Sequence, residues 1–120
     1  MERRIFFNPE IAADEMLDYF ISTNSNRIVT AIEDTLNTIF KGRFLTKQFM
    51  EDIGNALIAK IYKNARKRID TELQNMEHID EQEFKKMFLE YMIDESQKVL
   101  TKSIISDLAL MIITDNMVEM

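Results

Sequence analysis

The 120-residue chain reads as an all-α fold and as one domain over residues 1–120, and three observations carry that reading. It has only two Gly and one Pro, too few for the turns that hairpins and sandwiches require. Its apolar residues recur at spacings of three and four, the period of helices buried on one face. Apolar residues make up 46% and charged residues 30%, the balance of a chain that buries a core. The expected architecture is a bundle of about five helices around a long central helix at about 47–76.

Asn8-Pro9-Glu10 supplies an N-cap, a Pro at the first helical position and an acid in the first turn. A helix is expected from Pro9 to about Ile21, with Ile11, Met16, Leu17, Phe20 and Ile21 as its apolar residues. The polar string Ser22-Thr23-Asn24-Ser25-Asn26 reads as a linker, with Asn26 capping a second helix over Arg27–Lys41. In that helix Ile28, Val29, Ile32, Leu36, Ile39 and Phe40 share a face, and Gly42 is its expected stop.

Thr46 can cap the central helix, in which Ile53, Leu57, Ile61, Ala65, Ile69 and Leu73 recur every four residues. Each such step drifts about 40° around the axis, so the apolar line winds and its stretches must meet different neighbours. Thirty residues of helix extend about 45 Å. A compact monomer of this size has a radius of gyration of only roughly 14 Å. That length predicts either a bent helix wrapped by the others or cover from a second copy of the chain, with the dimer preferred.

Asp80 and Glu83 have capping-box spacing, and Ile79 and Phe84 stand where a hydrophobic staple places them, so a helix is expected from Glu81. Beyond it, Phe84, Met87, Phe88, Tyr91 and Met92 fall on one side. Ile104, Ile105, Leu108, Met111 and Ile112 fall on another, about 120° away at 100° per residue. One straight helix would present two faces, which predicts a break between Asp94 and Ser103.

The same residues limit function. With no Cys there is no thiolate metal site or thiol nucleophile, and one His cannot build a multi-histidine site. His78, flanked by Glu77, Asp80 and Glu81, is expected at the surface or in a cap. Acid pairs such as Asp14-Glu15 and Glu51-Asp52 fall on polar helix faces, and there is no Gly-rich phosphate loop. Neither catalysis nor a cofactor is expected. The longest apolar run, Leu108 to Ile113, is six residues, far short of the roughly 18 that cross a bilayer. The start of the chain lacks a signal-peptide core, which predicts a cytoplasmic protein.

Two surfaces are candidates for contact. Lys60, Lys63, Arg66, Lys67 and Arg68 place five cations within nine residues, the kind of row that neutralises phosphates. A net charge of −6 opposes nucleic acid, and only Tyr62 is interleaved as a stacking aromatic, so this reading ranks second. The apolar candidates are Ile5, Phe6 and Phe7 before the first helix, with Met87 and Met92 in the C-terminal third. Methionines adapt to irregular partner surfaces and equally fill cores. The expected function is a non-enzymatic helical protein-interaction module, a small regulator or assembly factor that binds another protein and forms a homo-oligomer. Sixteen Ile, nine Met and eight Asn fit coding from an AT-rich genome such as a phage's.

Overall fold

Asn8 opens the first element as its sequence dictates, because its Oδ1 accepts from the N–H groups of Glu10 at 2.9 Å and Ile11 at 3.3 Å. The computed structural model describes residues 7–41 and 46–118, with side chains to residue 115. All its elements are helices: α1 (Pro9–Phe40), α2 (Lys47–Gln74), α3 (Glu81–Val99) and α4 (Lys102–Val118).

Among the described residues four helices stand where about five were expected, because α1 continues through the supposed linker. Ser22 and Thr23 donate their hydroxyls to Tyr19 O at 2.9 Å, and Asn24 Nδ2 donates to Phe20 O at 3.0 Å. These side chains bond backward along the helix rather than capping a new one, and without Gly or Pro nothing stops the i→i−4 ladder. Asn26 is therefore an interior residue. Helix α1 ends at Lys41, which takes the left-handed conformation at φ 52°. Gly42, the expected stop, lies outside the described residues, as do Ile5 and Phe6.

The remaining boundaries follow their local signals. Thr46 Oγ1 accepts from Phe49 N at 3.2 Å, and Asp80 Oδ1 accepts from Glu83 N at 2.8 Å. Ile79 and Phe84 are both buried, as a staple requires. The break expected between Asp94 and Ser103 falls at Leu100 and Thr101. There Thr101 Oγ1 accepts from Ile104 N at 3.3 Å and opens α4.

Helices α3 and α4 each pack against both α1 and α2. The every-fourth-residue stripe of α2 is buried from Ile53 to Leu73, and α2 packs against all three other helices. Phe84 and Phe88 stack at 6.1 Å, with Tyr62 edge-on to Phe88 at 5.6 Å and Phe7 tilted against Phe84 at 5.3 Å. The long helices make the molecule elongated, 54 × 28 × 21 Å with a radius of gyration of 17.0 Å.

Helices α1 and α2 do not lie flush. Tyr62 Oη donates to Asp14 Oδ1 at 3.4 Å, and Gly54 faces Ile32, whose Cδ1 stands 3.7 Å from where a Cβ would be. Between those two contacts α1 advances 18 residues, about 27 Å, while α2 advances 8, about 12 Å, at 1.5 Å per residue. Helix α1 thus spans more residues than α2 between their shared contacts, and a space opens between the two helices.

Candidate protein-contact surface

That space is a groove of about 510 Å³, lined among the described residues by α1 and α2. Ile28 and Ile32 form its floor, Ile21, Val29, Met50 and Ile58 its apolar walls, and Ser25, Lys47, Glu51 and Asn55 its polar edges. Gly54 belongs to the same surface, and the missing side chain keeps the groove deep at that point. Lys47 Nζ stands 4.0 Å from Glu51 with its side chain 91% exposed, so that ion pair leaves the lysine available.

Exposed apolar residues also stand elsewhere on α1. Ile11 is 57% exposed, Val29 43% and Ile39 39%, and Ile21 is half-buried. At 100° per residue these four lie within a sector of about 80°. Ser25 is at the centre of that sector, both around the axis and along it. A second exposed apolar pair, Leu110 and Met111, lies on α4.

The structure divides the five-cation row. Lys60, Lys63 and Lys67 are exposed, and no ion pair engages them among the described residues. Arg66 is committed to the fold: its guanidinium is 2.7 Å from Glu10 and 3.7 Å from Asp70, fastening α2 to the start of α1. Arg68 is committed as well, 2.5 Å from Asp94 and 2.9 Å from Glu95, with its guanidinium 4.4 Å above the Tyr91 ring. Lys98 completes the cluster at 3.1 Å from Glu95 and 3.4 Å from Asp94.

Hydrogen bonding to Arg68 holds Asp94 below the usual carboxylate range. Burial pushes Glu95 upward, but its bonds to Lys98 and Arg68 outweigh that and leave it lowered. Beside it, Ser96 Oγ accepts from Arg27 Nη2 at 2.6 Å and donates to Ile93 O at 2.6 Å. Arg68 ties α3 to α2 and Arg27 ties α3 to α1, while Lys98 braces the two acids within α3, so the cluster holds the helices together.

The apolar candidates separate in the same way. Met92 is wholly buried and belongs to the core, so it is not a contact residue; it faces inward with Phe84 and Phe88. Met87 and Phe7 are half-buried and pack against that core. The groove was missed in the sequence because its α1 wall begins inside the supposed linker. The one signal against that linker was the lack of any Gly or Pro between Pro9 and Gly42.

Among the described residues no group of three His, Asp or Glu side chains is placed to hold a metal ion, and no helix is long and apolar enough to cross a membrane. Comparison with protein-family models, curated protein sequences and solved structures gives no match.

Proposed function

We propose that the protein acts without catalysis, as a helical interaction module that binds a partner protein through the open α1/α2 face in the role of a small regulator or assembly factor. The observation that carries this reading is the apolar groove, on whose wall Val29 is exposed. An apolar groove open to water and edged by polar residues is a concave surface suited to a side chain of a protein partner. Fully burying one aliphatic side chain contributes about 1.5–3 kcal/mol, so further burial of Ile21, Val29, Met50 and Ile58 would add to the affinity for a partner seated there. The polar edge of Ser25, Lys47, Glu51 and Asn55 around an apolar floor is the anatomy of such an interface.

The test is affinity capture from the native host with mass spectrometry, run with and without nuclease. The wild-type chain is expected to retain a protein in both conditions. The Ser25→Arg/Val29→Asp double variant, altered only at exposed positions, is expected to lose it. Capture that depends on nucleic acid, or that the double variant leaves intact, overturns the reading.

A further inference from the structure

We propose that the α1/α2 groove takes the apolar face of an amphipathic helix from a partner protein, with a large apolar side chain of that helix against Gly54 and a carboxylate beside Lys47. The proposal rests on the reading of this groove as a protein-contact surface and names the partner's chemistry.

Three features of the groove fit such a helix. The first is Gly54. Glycine inside a helix weakens it relative to alanine, so it serves the chain only where space is needed. The single chain does not need that space, because a Cβ at Gly54 would stand 3.7 Å from Ile32 Cδ1, an ordinary contact. What the glycine leaves is access to the α2 backbone beside Met50 and Ile58. An apolar cavity of roughly 150 Å³ holds benzene, so the 510 Å³ here admits an aromatic ring together with aliphatic neighbours.

The second feature is the form of the walls. From Ile21 to Ile32 and from Lys47 to Ile58 each extends about 16 Å. Apolar side chains at i, i+4 and i+7 of a partner helix span about 10 Å and fit that length. Both walls are unbroken helix, with their backbone groups paired internally, so they offer no edge to an extended peptide. Over this apolar floor an extended peptide would leave its own N–H and C=O groups unpaired, whereas a helix brings them already bonded.

The third feature is charge. Lys47 and Glu51 stand one turn apart on the α2 edge, with side chains 91% and 53% exposed, while the α1 wall is uncharged. Lys47 is the first residue of α2, where the helix dipole is positive, and no acid stands in the first turn. A partner carboxylate is therefore attracted to that end of the groove, and a partner cation one turn away meets Glu51.

The test is a methyl-resonance titration of the full chain with a lactam-locked, Ala-rich helical peptide carrying Leu, Phe and Leu at i, i+4 and i+7 and a Glu one turn from the row. The control peptide has the same composition except for a central Pro that breaks the helix. The locked peptide is expected to shift the methyl signals of Ile28, Ile32, Met50 and Ile58 at submillimolar concentration and to bind at least tenfold tighter than the control. Lys47→Glu is expected to weaken binding at least threefold. Gly54→Ala is expected to weaken it at least threefold and Gly54→Leu at least tenfold, both with unchanged helical circular dichroism.

No shift up to millimolar peptide overturns the proposal, as does equal binding of the two peptides or indifference to the Gly54 and Lys47 variants. Dodecanoate shifting these methyls where the peptide does not would replace the helix with a small amphiphile. Self-association of the chain that buries them would replace it with a second copy. Failure of the peptide while the chain still captures a host protein through Ser25 and Val29 removes the helix and leaves the interaction reading standing, whereas loss of both removes both.

Discussion

At the scale of single residues, the cluster that fastens α3 to α2 makes stability depend on pH in a defined direction. Asp94 and Glu95 have ordinary values of 3.8 and 4.5, and both are lowered in the folded chain. A carboxyl group lowered on folding adds stability above its unfolded value and loses that contribution as pH falls through its folded value. The contribution is therefore complete above about pH 5 and fades below 4.5 and then 3.8. The Asp94→Asn/Glu95→Gln protein is expected to have a lower urea midpoint than wild type at pH 7. That gap should narrow steadily as the pH is lowered toward 3. A gap that does not change with pH would show that the ion pairs with Arg68 and Lys98 add nothing to stability. The cluster also marks what one-dimensional reading cannot reach. Asn8, Thr46 and Asp80 were legible as caps because their hydrogen-bond partners lie two or three residues away. Arg66 and Arg68 read as members of a free basic row because their partners Glu10, Asp94 and Glu95 are 26 to 56 residues distant.

At the scale of elements, what was legible is the periodicity and what was not is the meaning of a polar string. The winding stripe of α2 and the change of face before α4 are properties of spacing, and both appear in the fold. Ser22-Thr23-Asn24 offers the same hydroxyls and amides to a cap or to the preceding turn, and only the packing of both flanking segments decides between them. Here Phe20 and Ile28 are both buried, so the chain is held helical on either side of the string. Gly54 in α2 poses a related question. An alanine Cβ there would stand 3.7 Å from Ile32 Cδ1, ordinary contact distance, so no clash requires glycine. Replacing a mid-helix Gly by Ala favours the helix by roughly 0.8–1.0 kcal/mol. Gly54→Ala is therefore expected to raise the urea midpoint, with a gain of about 1 kcal/mol. The same methyl group partly fills the groove and is expected to weaken whatever protein contact the face makes. A variant that is both more stable and fully competent in binding would show that the depth of the groove at this point is not used.

At the scale of the whole molecule, the distribution of charge separates protein contact from nucleic-acid contact. Duplex binding weakens with salt by about 0.9 in log K per decade for each phosphate neutralised. With Arg66 and Arg68 held by acids of the fold, the row offers Lys60, Lys63 and Lys67. Three contacts give a slope of about −2.7, so affinity would fall about twentyfold between 50 and 150 mM salt. The long-range field works in the same direction, because the chain as a whole carries −6. Beside this row Tyr62 packs edge-on to Phe88 and the Tyr91 ring is covered by Arg68, so neither is open to stack a base. The wild-type protein is therefore expected to show no appreciable binding to duplex DNA or RNA near 0.15 M salt in a fluorescence-anisotropy titration. Changing the three lysines together to Glu is expected to leave both the fold and the protein contact intact, because all three side chains are exposed and none lines the α1/α2 groove. Submicromolar binding by the wild type, with a slope near −2.7 and lost in the triple variant, would overturn the protein-contact reading in favour of the basic row. Protein capture lost in the triple variant would move the contact surface from the groove to this face of α2.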